Sequence, residues 1–158
     1  MPKRLWLLIA ILSLIVPLQF SISRAAPEPK VLVVDNYETA RRMTRHQLLA
    51  SGFSRIDEAP DIQTALIMLS EQQYALVISD WELSSETGLE LLKKMRLAAH
   101  TRSIPFLLMI PMDRPELKQA VAAPGLGGPT GTIVKPYTDA KLQTKLGSLL
   151  ETLKAIAR

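Results

Sequence analysis

Three short and nearly uninterrupted apolar runs constrain this chain most: Val31 to Val34, Ala75 to Ser79 and Phe106 to Ile110. Each is too short for an independent helix, and none alternates polar with apolar residues. That pattern belongs to strands covered on both faces, as in a parallel sheet between helical layers. The intervening segments have helical periodicity. Glu38 to Ser51 places Ala40, Met43 and Leu48 on one face and stops at Gly52. Asp61 can cap a helix carrying Ile62, Ala65, Leu66 and Leu69. Gly88 to Ala98 packs through Leu89, Leu92 and Met95. Asp113 with Glu116 has the form of a capping box, with Pro115 tolerated in the first turn, for a short helix burying Leu117, Ala120 and Val121. A last helix from about Asp139 shows a stripe of Leu142, Leu146, Leu149, Leu150, Leu153 and Ile156. Arg55 to Ala59 is a weaker strand candidate, Thr132 to Val134 is a final one, and the Gly- and Pro-rich residues 124–131 read as a loop. Five strands alternating with five helices predict a doubly wound α/β sandwich whose site lies at the C-terminal edge of the strands.

Several chemistries are excluded by composition. The 158 residues contain no cysteine, so no disulfide, thiol nucleophile, iron–sulfur cluster or thiolate zinc site can form. His46 and His100 are the only imidazoles, too few for a histidine-rich metal centre. The net charge of +4 suggests a nucleic-acid or membrane partner until it is located. Lys3, Arg4, Arg24 and Lys30 against Glu28 give residues 1–30 a net charge of +3, which leaves only +1 for the rest. Arg41, Arg42 and Arg45 form a tight cationic cluster in the body, and a solvated helix face accounts for it better than phosphate binding.

The first 25 residues are a different kind of sequence. Lys3 and Arg4 precede an apolar stretch from Leu5 to Phe20, and Ser23-Arg24-Ala25 precedes Ala26 and a Pro-Glu-Pro linker within residues 26–30. This is the layout of a secretory signal cleaved after Ala25. The apolar stretch is short for a bilayer span and carries Pro17. An uncleaved anchor associating with a membrane through residues 5–20, and an upstream start assignment, remain the alternatives.

If the strands are parallel, the polar residues that end their apolar runs converge on one edge. These are Asp35-Asn36, Asp80 and Lys135. Two carboxylates from separate strands repel each other, and a hard divalent cation is the usual way to hold both ionised. A nearby lysine completes a site for a phosphoryl group. One such residue more often caps a loop; three on three strand ends argue for a site.

The segments Val-Leu-Val-Val-Asp-Asn at 31–36, Leu-Val-Ile-Ser-Asp-Trp at 76–81, Thr-Gly-Leu-Glu-Leu-Leu at 87–92 and Val-Lys-Pro-Tyr at 134–137 resemble the receiver domain of bacterial response regulators. The single-domain chemotaxis type is the most similar, and the resemblance takes in residues 30 to about 155 of a receiver domain assigned to 31–158. It implies a flavodoxin-like sheet of strand order 2-1-3-4-5. Asp80 is implied as the phosphoacceptor, attacking the phosphohistidine of a histidine kinase or phosphotransfer protein. Asp35, Asp80 and the main-chain carbonyl of Glu82 are implied as magnesium ligands, Lys135 as the partner of the phosphoryl oxygens, and the bond before Pro136 as cis.

The departures from that family are equally specific. Asn36 stands where a second acid is usual, which weakens magnesium binding unless the Glu82 side chain turns inward. Ile110 replaces the hydroxyl residue that bonds the phosphoryl group, and Thr132 replaces the rotating aromatic. Trp81 either recognises a partner or packs, His46 is expected in solvent, and His100 has no evident partner. The Gly-Leu-Gly-Gly at 125–128 neither follows a strand nor opens a helix, which makes a nucleotide-phosphate loop a weak reading. The first expectation is therefore a phosphoacceptor module that signals through a downstream protein and not through nucleic acid, working in the cytoplasm either free or anchored, with periplasmic export left open by the leader. A degenerate pseudo-receiver that binds its partner regardless of phosphate is the second. An aspartate-nucleophile phosphohydrolase with Glu82 as general acid is a distant third.

Overall fold

The computed structural model describes residues 28–112, 114–123 and 126–156. The signal-like segment 1–25, Asp113 and the side chains of Leu153 and Ile156 lie outside the described residues. The elements are β1 (Lys30–Val34), α1 (Glu38–Ala50), β2 (Arg55–Ala59), α2 (Ile62–Glu71), β3 (Leu76–Asp80), α3 (Gly88–Leu97), β4 (Phe106–Ile110), α4 (Pro115–Val121), β5 (Thr130–Val134) and α5 (Asp139–Ile156). All pairings are parallel, and the strand order is β2-β1-β3-β4-β5. The doubly wound expectation and its strand order both hold.

The pleat sorts the strand side chains into two cores. Leu32, Val34, Val77, Phe106, Leu108 and Ile110 face the layer formed by α2, α3 and α4. Val31, Val33, Leu76, Ile78, Leu107, Met109 and Ile133 face Leu48 of α1 and Leu142, Leu146 and Leu149 of α5. Continuous apolar strands are thus explained by burial on both sides.

Several boundaries and faces differ from the expectations. Strand β3 starts at Leu76 and includes Asp80. Strand β5 begins at Thr130, two residues inside the expected loop, because Thr130 and Gly131 pair with Phe106 and Leu107. The buried stripe of α1 is Thr44 and Leu48, so Met43 is displaced to solvent and is 66% exposed. Arg114 stands at the N-cap of helix α4 without a side-chain cap, and the Asp113 half of the expected capping box lies outside the described residues. Asp61 does cap α2, its carboxylate accepting the Thr64 amide at 2.7 Å.

A buried arginine organises the Gly-rich segment before β5. Arg96 on α3 is 8% exposed and pairs with no carboxylate among the described residues. It donates instead to the carbonyls of Leu126 (3.2 Å), Ile104 (2.8 Å) and Pro129 (3.3 Å) and to the Thr130 hydroxyl (3.1 Å). Burial pulls its pKa down to about 10, still high enough to keep the guanidinium charged at neutral pH.

At the opposite edge from the expected site, Asp57 on the edge strand β2 is held by Lys30 Nζ at 2.6 Å and by the Tyr74 hydroxyl at 2.7 Å. Burial alone would raise the Asp57 carboxyl, but the bonds from Lys30 and Tyr74 and the charges of Lys30 and Arg55 outweigh it and hold the pKa below the ordinary 3.8. The stability this contributes is present above the unfolded-state pKa and is lost as pH falls through the lower folded value. Asp57→Asn is therefore expected to cost about 1 kcal/mol at pH 7. Its urea midpoint should converge on wild type as the pH drops below the usual carboxylate range; a gap independent of pH would show that packing, not ionisation, carries the contribution.

Candidate functional site

The pleat also aims the polar strand ends. Asp35 continues the parity of Val31 and Val33, Asp80 that of Leu76 and Ile78, and Lys135 that of Ile133, so all three project on the α1 and α5 side of the sheet edge. Asp35 is 1% and Asp80 7% exposed. Lys135 Nζ lies 2.6 Å from Asp80 Oδ1 and 3.9 Å from Asp35 Oδ2. The lysine is placed by its own main chain: its amide donates to the Ile110 carbonyl at 2.8 Å, and the following bond to Pro136 is cis. Trp81 donates its amide to the Met109 carbonyl at 2.8 Å, fixing the chain just past Asp80.

The electrostatics are those of an acidic pocket with one cation. Burial raises the pKa of Asp35 above the ordinary carboxylate value; the Tyr37 amide, which donates to Oδ1 at 2.9 Å, opposes that shift. The neighbouring Asp80 charge adds to the rise, while Lys135 and Arg41 act against it. Asp35 Oδ2 and Asn36 Oδ1 are buried and have no hydrogen-bond partner. Orphaned buried acceptors are costly and call for a donor or a cation. Among the described residues there is no group of three His, Cys, Asp or Glu side chains placed to hold a metal ion. Two carboxylates, an amide oxygen and main-chain carbonyls fit magnesium well, because that ion retains several waters and takes few protein ligands.

Glu82 lies in the turn after Asp80 with its side chain exposed, so that carboxylate does not replace the charge missing at Asn36. The turn closes through a bridge between Glu82 and Thr87 and through the Gly88 amide, which donates to the Trp81 carbonyl at 2.9 Å. Trp81 is half-buried against the α2–α4 core, and His46 and His100 are exposed. Ile110 is fully buried in that same core, and Thr132 is half-buried on β5. Beside the acidic pair a cleft of about 500 Å³ runs between α1 and the β5–α5 turn, with Met43, Thr44, Met109 and Tyr137 among its walls and Asp35 and Lys135 at its edge.

Two contributors escaped the sequence. Gly88 brings the start of α3 against the main chain of Asp80, and Arg41 donates to the Asp35 carbonyl at 2.8 Å. The first is signalled only by a glycine directly after the capping Thr87; the second sits in a cluster that reads as a solvated face.

Residues 31–147 match the family model described as the response regulator receiver domain. The chain belongs to that family. Chemotaxis protein CheY-3 of Vibrio cholerae serotype O1 is 35% identical over 125 residues, covering 78% of this chain and 93% of that protein. Chemotaxis protein CheY of Pseudomonas aeruginosa is 32% identical over 123 residues, covering 77% and 96%. The solved structure of the chemotaxis response regulator CheY4 of Vibrio cholerae superposes with a TM-score of 0.69 at 30% identity, over 77% of this chain and 98% of that one. This receiver domain is of the chemotaxis type, a module of two-component signalling. No helix among the described residues is long and apolar enough to cross a membrane.

Proposed function

We propose that residues 31–158 form a phosphoacceptor unit in which Asp80 accepts a phosphoryl group with magnesium bound beside it. The observation that carries this reading is the meeting of Asp35, Asp80 and Lys135 on one face of the sheet edge, with two buried acceptors left unpaired. Lys135 holds Asp80 Oδ1 at 2.6 Å, which leaves the other carboxylate oxygen to attack phosphorus. The P–N bond of a kinase or phosphotransfer phosphohistidine breaks as the acyl phosphate forms, and the imidazole leaves with the electron pair. Lys135 then counters the charge on the phosphoryl oxygens. Asp35, Asp80, Asn36 and the Glu82 carbonyl would hold the magnesium ion, which when bound neutralises charge on the transferring group.

The chain's own chemistry is limited to this transfer and to loss of the phosphoryl group. The exposed Glu82 side chain gives no support to a general acid two residues beyond the nucleophile. Output goes to a downstream protein, and the need for a phosphohistidine donor supports a cytoplasmic site of action. The family relationships lend nothing to the pseudo-receiver reading.

Intact mass after incubation with acetyl phosphate and magnesium tests the proposal. Wild type is expected to gain one phosphoryl group and Asp80→Asn none. Failure of the folded wild-type chain to gain mass at high magnesium would overturn the acceptor reading and leave the pseudo-receiver.

A further inference from the structure

The arginine cluster on α1 does not behave as one surface. Arg42 is exposed and pairs with Glu38 on its own helix. Arg45 donates to the Ile56 carbonyl at 2.6 Å and lies 4.0 Å from Glu58. Arg41 differs from both: its side chain is 14% exposed, Nε lies 3.4 Å from Glu58 Oε2, and Nη1 donates to the Asp35 carbonyl. Glu58 gives Arg41 an ion pair but no hydrogen bond, and Nε is left buried without a hydrogen-bond partner. The second contact of Arg41 reaches the peptide joining Asp35 to Asn36, the two residues whose side-chain oxygens are buried and unpaired.

That peptide joins the two residues, and Arg41 is bonded to its carbonyl. Asp35 is held from behind by its amide, which donates to the Ala59 carbonyl at 3.2 Å, and from ahead by the Tyr37 amide on Oδ1. The carbonyl between those two bonds accepts from Arg41 Nη1 at 2.8 Å. With Asn36 neutral, cation binding draws on fewer charges, and pre-orientation of the remaining oxygens carries more of the affinity.

We propose that Arg41 is a positioning residue of the acceptor site, clamping the Asp35–Asn36 peptide so that Asp35 Oδ2 and Asn36 Oδ1 face the cation. The inference rests on the magnesium-dependent reading above. It is tested on the full chain by magnesium titration followed through the backbone amide shifts of Asn36 and Trp81, with amide exchange at Tyr37 measured in metal-free protein. Arg41→Met is expected to raise the magnesium midpoint roughly tenfold, in the range seen when partners that orient metal ligands are removed. It should also speed exchange at Tyr37. Arg41→Lys, which keeps one donor and the charge, should recover part of the loss and serves as the test if the methionine variant does not fold. Glu58→Gln removes the ion pair but spares the clamp, and should leave the midpoint within about twofold of wild type.

A role confined to tying α1 to β2 would lower the denaturation midpoints of the Arg41 and Glu58 variants alike and leave magnesium binding unmoved; that result overturns the inference. An Arg41 variant that titrates as wild type does, with unchanged exchange at Tyr37, overturns it too while leaving the acceptor reading intact. A wild-type chain whose Asn36 and Trp81 amides ignore magnesium would overturn both.

Discussion

Gly88→Ala is expected to destabilise the domain by about 3 kcal/mol, at the upper end of the usual cost of forcing atoms into a packed core. A Cβ built at Gly88 would sit 2.2 Å from the Asp80 carbonyl oxygen, 2.6 Å from Leu108 Cδ1 and 2.8 Å from Ser79 Oγ. A leucine methyl can rotate away. The carbonyl cannot, because it belongs to a buried central strand and also accepts the Ser79 hydroxyl at 2.9 Å. Relief must come from shifting the start of α3 or the end of β3. The second option moves Asp80 away from Lys135, so phosphoryl uptake from acetyl phosphate should fall even where the variant is still folded. Urea denaturation reads the first effect and intact mass the second. A loss below about 1 kcal/mol with uptake unchanged would mean the helix start is softer than its contacts imply.

The contrast between Gly88 and Asp80 shows what a sequence of this kind reveals. Asp35, Asp80 and Lys135 are legible because each ends an apolar run, and parallel strands bring such ends together without any further information. Gly88 and Arg41 are not, since their importance depends on which main-chain atom lies opposite. Arg96 is hidden for the same reason: its carbonyl partners lie up to 33 residues away, and nothing local marks a charged residue on α3 as buried. Edge strands were the weak part of the fold reading. Strand β2 reads Arg-Ile-Asp-Glu-Ala because only one side of it is paired, and its charges find partners in Lys30, Arg41 and Tyr74. Strand β5 opens with Thr130-Gly131, turn-like residues by composition, although Gly131 packs at ordinary contact distance against Leu149 of α5. Met43 is exposed because a threonine, Thr44, takes the buried position on α1 that an apolar residue would normally advertise.

Ile110→Thr is expected to have the largest effect on signalling and to cost less in the phosphoryl-bound state of the domain than in the free one. Ile110 is fully buried among the aliphatic side chains facing α2, α3 and α4. Without a phosphoryl group, threonine there loses apolar contact and buries an unpaired hydroxyl, at a combined cost of about 2 kcal/mol. The position adjoins the site, because the Ile110 carbonyl accepts the Lys135 amide and Met109 is paired with Asp80. Ile110 points to the α2–α4 side of the sheet and Asp80 to the α1–α5 side, so a hydroxyl at 110 meets a phosphoryl mimic on Asp80, as the family resemblance implies, only if the end of β4 turns. Beryllofluoride with magnesium should then recover about 1 kcal/mol of the loss, the net worth of one hydrogen bond. Since a ligand shifts an equilibrium only by its differential affinity for the two states, that recovered energy is also the drive for a rearrangement of the β4–α4 segment. Wild type, with isoleucine at 110 and threonine at 132, is expected to respond to beryllofluoride mainly near Asp80. Ile110→Thr should spread the change in amide exchange toward α4 and β5. Urea midpoints with and without beryllofluoride, for wild type and variant, close the cycle. An equal stability gap in both conditions would show that the hydroxyl never reaches the phosphoryl group and that its absence does not limit the switch.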